Sequence, residues 1–330
     1  MEITKSFSSD LYTLNEADFE DIALAVFRLQ AKNNAIYAAW LNGLGIDWMR
    51  VQAVADIPFL PISFFKSQVI KSGEWTESTL FKSSTTTGGV PGVHYVKDLQ
   101  FYLYHSQKCF ESFFGLVSNY HFLALLPSYL ERGESSLIAM IDYFIKKSGS
   151  ELSGFYLTNT DKLMRDIALA RKDKSKKIIL WGVTYALLDL AEGHTPDLSD
   201  CLVFETGGMK GRRKEMTRPE LHEALKKGFG VEKIYSEYGM TELFSQAYTR
   251  GGETFYCSPW MRVFIRETGD PFVRLGSNKP GGINVIDLAN IDTISFIETE
   301  DAGRLLADGG FEVHGRLDNT DIRGCNLMVE

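Results

Sequence analysis

The first clear pattern along the chain is a stripe of apolar residues at helical spacing. The stripe consists of Phe19, Ile22, Ala23, Val26 and Phe27. Because these side chains share one face, they predict an amphipathic helix that Asn15 can cap, with Asp18 in its first turn. A second helix is predicted over residues 36–44. The prolines within 57–62 then exclude a helix interior and predict an extended apolar connector.

Strands and helices alternate through the middle of the chain. Short apolar runs predict strands at 122–126, 178–181 and 202–204. Helices are predicted after the capping residue Asp98, at 135–145, at 185–191 after a cap at Thr184, and at 219–227. Such alternation predicts parallel sheets with crossover helices. From Met261 onward the pattern is strand-rich, with strands predicted at 263–266, 284–286, 293–297 and 311–314.

Composition and charge then bound the class of protein. With 330 residues, of which 44% are hydrophobic and 24% charged, the chain can bury a large globular core. A net charge of -8 argues against nucleic acid as the main partner. No apolar run reaches the roughly 18 residues of a membrane span. The N-terminus lacks the basic and apolar regions of a signal peptide.

The cysteines and histidines narrow the compartment and the metal chemistry. Four widely spaced cysteines, without a C-x-x-C pair, fit a reducing cytoplasm and neither a zinc site nor a disulfide framework. Of these, Cys109, Cys201 and Cys257 are expected to be structural. The six histidines show no metal-ligand spacing. His94 has no evident partner, so the sequence assigns it no role.

A loop of hydroxyl residues is the most informative local feature. Five consecutive hydroxyl side chains, from Ser83 to Thr87, precede a glycine pair and a Pro-Gly. Hydroxyls and backbone N–H groups in such a loop can bind the β- and γ-phosphates of a nucleotide. The candidates are Ser84, Thr85, Thr86, Thr87, Gly88 and Gly89. No lysine follows the glycines, which excludes a Walker loop, and a solvated turn between strands remains the alternative.

Four more segments carry candidate chemistry. In chain order they are Thr206-Gly207-Gly208, Tyr238-Gly239-Met240-Thr241-Glu242, Thr299-Glu300-Asp301-Ala302-Gly303-Arg304, and a final stretch with Gly315-Arg316, Asp318 and Arg323-Gly324-Cys325. Thr206-Gly207-Gly208 ends a predicted strand, where α/β sheets bind ligands. A plain turn is an equally good interpretation of the two glycines.

With the hydroxyl loop, and in this order, the last three of these segments resemble the core motifs of the adenylate-forming superfamily. That superfamily includes acyl-CoA synthetases, phenylacetate-CoA ligases, luciferase-type enzymes and acyl-protein synthetases. The resemblance implies a core of α/β subdomains with parallel sheets and a smaller, β-rich subdomain in the form of a distorted barrel. We expect a helical N-terminal segment over 1–80, nucleotide- and acyl-binding subdomains over 81–260, and a β-rich subdomain over 261–330. The small C-terminal domain of the family is expected to be absent.

The resemblance also implies roles for individual residues. Tyr238 and Gly239 would contact adenine, Thr241 the α-phosphate, and Glu242 a Mg²⁺ ion. Independently of the resemblance, Gly207 and Gly208 at a strand end can let a purine approach the backbone. Asp301 would accept hydrogen bonds from the ribose, and Arg316 would reach ribose or phosphate. The alternatives without a functional role are a tight strand-to-helix turn at 238–242, a solvated acidic turn at Asp301 and a surface ion pair at Arg316.

Three details are similar to the acyl-protein synthetase branch: residues 59–66, residues 181–185 and Arg323-Gly324-Cys325. This branch implies activation of a fatty or aryl acid with ATP, followed by transfer to a thiol. The thiol would be Cys325, CoA or one on a partner protein such as a reductase. The alternative for Cys325 is that it packs as a small hydrophobic residue and accepts no acyl group. Two other functions stay open: an acyltransferase that uses a preformed thioester without ATP, and a non-catalytic nucleotide-binding protein.

Overall fold

The computed structural model describes residues 11–83, 89–126, 134–157, 159–194, 196–208, 213 and 216–317. The chain divides into two compact units. We call Thr76–Ser258 the α/β unit, and Met1–Trp75 with Pro259–Glu330 the β-rich unit. In this division the N-terminal segment shares a unit with the C-terminal strands. The three sequence-based segments, 1–80, 81–260 and 261–330, stay a prediction.

The regular elements of the described residues are numbered in chain order. The helices are α1 (Phe19–Asn33), α2 (Ala35–Gly43), α3 (Leu99–Phe114), α4 (Ser136–Ser148), α5 (Thr160–Ala170), α6 (Thr184–His194) and α7 (Arg218–Phe229). The strands are β1 (Leu60–Pro61), β2 (Thr79–Lys82), β3 (Val93–Val96), β4 (Tyr120–Leu125), β5 (Gly154–Phe155), β6 (Lys177–Val183), β7 (Cys201–Thr206), β8 (Ile234–Tyr238), β9 (Ala247–Thr249), β10 (Phe255–Cys257), β11 (Met261–Arg266), β12 (Arg274–Leu275), β13 (Pro280–Asp287), β14 (Phe296–Leu305) and β15 (Phe311–Arg316).

Polar residues at the helix starts explain where several helices begin. The Asp98 carboxylate accepts hydrogen bonds from the backbone N–H groups of Gln100 and Phe101, at the start of α3. At the start of α7, Thr217 and Glu220 form a reciprocal capping box. Each cap satisfies backbone N–H groups that the helix itself leaves without a partner. The predicted cap at Asp98 is therefore confirmed.

The α/β unit is built on a parallel sheet. Strands β5, β4, β6, β7 and β8 lie side by side in that order, and β9 and β10 extend the sheet with antiparallel pairings. Helices α6 and α7 are the crossovers into β7 and β8. The strand β4 is buried along its whole length, as a sheet covered on both faces requires. The predicted α/β class with parallel strands is confirmed.

The β-rich unit is a largely antiparallel sheet in the order β12, β11, β13, β14, β15, and β1 pairs in parallel with β14. Helix α1 is tied to this sheet by Gln30, whose side-chain amide donates to the carbonyls of Asn290 and Ile291 at 3.0 and 3.1 Å. Within the described part of the unit, no pairing closes the strands into a barrel.

The strand predicted at 293–297 begins later than expected. Strand β14 starts at Phe296, because the preceding residues form a turn in which the Thr293 N–H donates to the Asn290 carbonyl at 3.0 Å. The buried side chain of Asn34 donates to the carbonyl of Thr293 at 3.0 Å, which holds that turn. Among the helices described, none has both the length and the apolar character that crossing a membrane would require.

Candidate functional site

The candidate site of the α/β unit lies where neighbouring parallel strands end. β7 ends at Thr206 and is followed by Gly207, while β8 ends at Tyr238 and is followed by Gly239. Gly207 has φ of 74°, a backbone conformation that residues other than glycine adopt only at a cost in free energy. Because the carboxyl ends of parallel strands are where α/β sheets bind ligands, the two glycine turns mark this edge as the site.

Successive residues of β7 and β8 point to opposite faces of the sheet. Glu205 is paired with Ser236 in the register of the two strands, and their side chains meet on the face covered by α7. Phe204 is paired with Tyr235, and both rings contact Phe114 of α3, with centroid distances of 5.0 and 5.7 Å. We call these the α7 face and the α3 face. Each carries one buried or half-buried glutamate close to the strand ends.

On the α7 face, the carboxylate of Glu205 lies in a complete polar cluster. It forms an ion pair with Arg218 and accepts a hydrogen bond from the Ser236 hydroxyl at 2.6 Å. His222 lies 3.6 Å away. Burial alone raises the pKa of Glu205, but the Arg218 guanidinium and the bonds from His222 and Ser236 outweigh it and hold the pKa below its ordinary value. Glu205 is therefore a stably ionised group inside the fold.

The same cluster reaches the glycine turn after β7 through Thr184, the first residue of α6. Its hydroxyl lies 3.3 Å from a carboxylate oxygen of Glu205 and 2.9 Å from the carbonyl oxygen of Gly207. The hydroxyl has one proton to donate, and both partners are acceptors. This contact fixes the backbone of the Gly207 turn to the buried cluster beneath it.

On the α3 face, Glu237 lies in a very different environment. Its Oε2 accepts a hydrogen bond from the Thr206 hydroxyl at 2.6 Å. Burial, reinforced by the negative charge of Glu205, raises the pKa of Glu237 to about 7. A Cβ atom on residue 239 would collide with its Oε1, so the carboxyl would have to shift if residue 239 carried a side chain.

His94 links the strand after the hydroxyl loop to the turn after β8. Its Nδ1 donates to the carbonyl oxygen of Thr241 at 2.8 Å, and its ring stacks on Phe244 at 4.9 Å between centroids. Burial lowers the pKa of His94 to about 4 although the bond to Thr241 opposes this, so the ring is neutral at physiological pH. This partner of His94 could not be predicted from the sequence, because Thr241 lies 147 residues further along the chain.

The hydroxyl loop connects β2 and β3, and its base is closed by Ser83 and Gly92. The Ser83 N–H donates to the Gly92 carbonyl at 2.9 Å, and the Gly92 N–H donates to the Ser83 hydroxyl at 2.7 Å. Gly89 is exposed. The predicted phosphate-binding residues Ser84, Thr85, Thr86, Thr87 and Gly88 lie outside the described residues.

The other candidates of the α/β unit lie together at the end of β8. Tyr238 is buried, and its ring packs against Phe255 at 5.8 Å between centroids. Thr241 is half-buried and Glu242 is 6% exposed. The segment that follows is a turn leading to β9, so the strand-to-helix alternative for 238–242 is wrong. The turn is held by His94 instead of by a helix.

The β-rich unit contains the remaining predicted residues. Asp301 of β14 lies opposite Arg316 of β15, and the Arg316 Nε is 3.9 Å from the Asp301 carboxylate. The Arg316 side chain is mostly exposed, while Asp301 is largely buried. The neighbouring Glu300 forms an ion pair with Lys66 at 3.2 Å. Cys325 and Asp318 lie outside the described residues.

Solved structures resemble this arrangement of strands and helices at low sequence identity. A 2-hydroxyisobutyryl-CoA ligase in an open conformation, in complex with 2-HIB-AMP and CoA, has a TM-score of 0.68 at 11% identity, over 91% of this chain and 74% of that one. The chain has the adenylate-forming fold. A luciferase-like enzyme from the nonluminescent mealworm Zophobas morio shares this fold with a TM-score of 0.51 at 18% identity, over 75% and 60% of the two chains.

ATP-bound MatB from Rhodopseudomonas palustris also has the adenylate-forming fold, with a TM-score of 0.53 at 14% identity. The match covers 72% of this chain but only 47% of MatB, so the chain spans about half the length of that relative. No protein-family model and no curated protein matches the sequence. The likeness therefore rests on three-dimensional structure, and it confirms the fold that the sequence motifs implied.

Proposed function

We propose that the protein uses ATP to activate a carboxylic acid and then transfers the acyl group to a thiol. The observation that carries this proposal is the bond between His94 and Thr241. It connects the strand that follows the hydroxyl loop to the turn that contains Thr241 and Glu242. Two segments that resemble phosphate-binding motifs, far apart in the sequence, therefore belong to one structural unit of the adenylate-forming fold.

In the first step, a carboxylate oxygen of the acid attacks the α-phosphorus of ATP. The new bond gives an acyl-adenylate, and the bond to the leaving pyrophosphate breaks. The protein must hold two anions in line and offset their charge. For this we propose the hydroxyl loop for the β- and γ-phosphates, Thr241 for the α-phosphate, and Asp301 and Arg316 for the ribose. Tyr238 and the Gly207 turn would contact adenine.

A Mg²⁺ ion fits the proposed chemistry at Glu242. Mg²⁺ is commonly bound by one or two carboxylates together with substrate phosphates, and it does not need a cage of protein ligands. No cluster of three or more metal-binding side chains occurs in the described part of the chain, whereas Glu242 supplies a single buried carboxylate next to Thr241. When bound, the ion neutralises charge on the triphosphate.

In the second step, a thiolate attacks the acyl carbonyl and AMP leaves. We propose an acid–thiol ligase, and within that class the acyl-protein synthetase type implied by the sequence, with Cys325, CoA or a partner protein as the thiol. That branch implies a fatty or aryl acid. Cys109 and Cys201 are buried and, within the described residues, form no disulfide, which supports the structural role expected for them. We propose a cytoplasmic location, as the sequence implied.

Pyrophosphate exchange tests the first step directly. Labelled pyrophosphate should enter ATP only when Mg²⁺ and a carboxylic acid are both present, because exchange requires a reversible adenylation. Glu242→Gln should lower the exchange rate by orders of magnitude and leave the unfolding transition in place. A thioester-dependent acyltransferase or a non-catalytic nucleotide-binding protein would show no acid-dependent exchange. Wild-type exchange in Glu242→Gln would remove Glu242 from the mechanism.

A further inference from the structure

Two glutamates at the same sheet edge have opposite surroundings. Glu205 on the α7 face has a guanidinium, a histidine and two hydroxyl groups around it. Glu237 on the α3 face forms no ion pair with any cation of the described residues, and it accepts a single hydrogen bond, from Thr206. Burying a carboxyl without a compensating partner is costly. The fold thus supplies Glu205 with a cation and several hydrogen-bonding groups, whereas it supplies Glu237 with one hydrogen bond only.

The second oxygen of Glu237 lies beside the glycine turn at the end of β8. Oε2 accepts the hydrogen bond from Thr206, whereas Oε1 lies against Gly239, on the side where Gln246 also packs, and has no hydrogen-bond partner among the described side chains and backbone groups. Part of the Glu237 side chain remains accessible to solvent. The position after it, Gly239, is also exposed. An acceptor atom is therefore available at the carboxyl edge of the sheet, where a ligand is expected.

More polar groups without partners lie on the same face. The Tyr248 hydroxyl is buried and has no hydrogen-bond partner within the described residues, and the same holds for Nε1 of Trp181. Tyr248 is the register partner of Glu237, and its ring lies 6.3 Å from that of Trp181. Burial and the negative charge of Glu237 together raise the pKa of both Tyr248 and Tyr102 of α3. The α3 face is thus aromatic but contains unsatisfied polar groups.

Because successive residues of a strand point to opposite faces of the sheet, ATP and the acid can each be assigned to one face. Tyr238, the residue proposed for adenine, follows Glu237 directly and therefore points to the α7 face, where its ring meets Phe255. Arg218 of α7 lies over the same Phe255 ring at 4.7 Å. Glu237 points the other way, toward α3. If the nucleotide base lies with Tyr238, the α3 face is left for the acid.

This inference rests on the proposed function and gives the class of its acid. We propose that the acid lies on the α3 face and carries a hydroxyl or amino group, which donates a hydrogen bond to Oε1 of Glu237. An unsubstituted acyl chain would cover the Glu237 carboxyl and leave its Oε1 without water or a partner, although Oε2 would keep its bond from Thr206. A site that provides a hydrogen-bonding group discriminates strongly against analogues that lack the matching group. The class is therefore narrower than the fatty or aryl acids that the sequence implied.

Pyrophosphate exchange with paired acids tests the proposal. Hydroxybenzoates and aminobenzoates are compared with benzoate, and ω-hydroxy and ω-amino alkanoates with unsubstituted alkanoates of the same length. In the wild type, the best donor-bearing acid should exceed its unsubstituted partner by about tenfold or more in kcat/KM. In Glu237→Leu this ratio should fall close to one. Glu232→Leu, the same change at an exposed position just before β8, should keep the wild-type ratio.

A second variant and a binding measurement complete the test. If Glu237→Leu does not unfold cooperatively, Glu237→Gln replaces it, and the preference for amino-bearing acids should be lost because the charge is gone. The shift in Tm on adding each acid without ATP measures binding alone. Donor-bearing acids that stabilise the wild type but not the Glu237 variant support the inference even if exchange is absent, which would count against the proposed function only. Equal use of unsubstituted acids, or a ratio unchanged by the Glu237 substitution, overturns it.

Discussion

At the scale of single residues, His94 shows how a buried neutral imidazole can serve an active-site turn. Its Nδ1–H is the donor that the Thr241 carbonyl needs, and its ring packs on Phe244. A lowered pKa keeps the ring neutral, with the proton on Nδ1. We regard His94 as a positioning residue, since it acts on Thr241 and not on a substrate.

Two substitutions of His94 separate the effect of its hydrogen bond from the effect of its ring packing. His94→Phe keeps the stacked ring but leaves the Thr241 carbonyl without its partner, which costs roughly 1–3 kcal/mol. We expect the exchange rate to fall by about tenfold or more. His94→Asn places an amide donor near the former Nδ1 and should recover part of the rate. Steady-state exchange kinetics, with a separate KM for ATP, measure both variants. Equal losses in both, in proportion to their loss of stability, would reduce His94 to a packing residue.

Glu237 makes stability depend on pH in a defined direction. Its ordinary pKa of 4.5 is raised to about 7 in the folded protein. Below pH 4.5 both folded and unfolded chains hold the proton. As pH rises toward 7, the unfolded chain loses it first, so the contribution of Glu237 to stability falls. Glu237→Gln should remove this fall and gain up to about 3 kcal/mol over the wild type at pH 8.

Chemical unfolding at several pH values measures this difference. The free energies of unfolding of wild type and Glu237→Gln should differ least at pH 4.5 and below, separate as the pH rises from 4.5 to 7, and keep their full difference above pH 7. Because all other carboxyls titrate in both proteins, the difference between the two isolates Glu237. A constant difference across this range would show that the carboxyl is not perturbed by its burial.

At the scale of elements, the ends of β7 and β8 combine what the sequence predicts with what it cannot. The apolar run at 202–204 and the glycines after it predicted the end of β7 and the turn that follows, whereas β8 was not among the predicted strands. The sequence could not distinguish Glu205 from Glu237, because each is the one acidic residue of its strand, with an aromatic residue on one side and a hydroxyl residue on the other. The surroundings of the two carboxyls differ because different helices cover the two faces of the sheet. Helix α7 brings Arg218 to Glu205, whereas α3 brings aromatic residues to the face of Glu237. Strand β5 and helix α5 were also missed. Strand β5 has two residues, too few to show a period, whereas α5 has buried residues at helical spacing, Leu163, Ile167 and Ala170, and could have been predicted from them.

The Arg218 and Glu205 pair should hold α7 against the sheet. Arg218→Met keeps most of the side-chain volume but leaves the Glu205 carboxylate buried without its cation, at a cost of roughly 3 kcal/mol or more. Arg213→Met is the matched control, because the Asp189 and Glu192 partners of Arg213 are mostly exposed, and it should cost less than about 1 kcal/mol. Urea unfolding gives both values. Similar losses in the two variants would mean that Glu205 relies on its hydroxyl partners alone.

At the scale of the whole molecule, the order of the motifs along the chain predicted the fold. The candidate acyl acceptor Cys325, by contrast, lies outside the described residues. If Cys325 accepts the acyl group, incubation with Mg·ATP and an acid that supports exchange should add one acyl mass to the protein. Hydroxylamine should remove it. Cys325→Ser should lose this adduct but keep pyrophosphate exchange, because adenylation precedes transfer. Intact-protein mass spectrometry gives the result. An adduct that persists in Cys325→Ser would assign the acceptor to another residue.

The β-rich unit is discontinuous in the chain, and this affects how the protein is made. Gln30 of α1 binds the carbonyl of a residue 260 positions further on, and β1 can pair only once β14 exists. During synthesis, the whole of the α/β unit leaves the ribosome before the partners of the N-terminal helices do. Contacts of such high sequence separation form late and slowly. The apolar stripe of α1 is therefore the surface of the nascent chain that must wait longest for cover, and the one that a chaperone would have most time to bind.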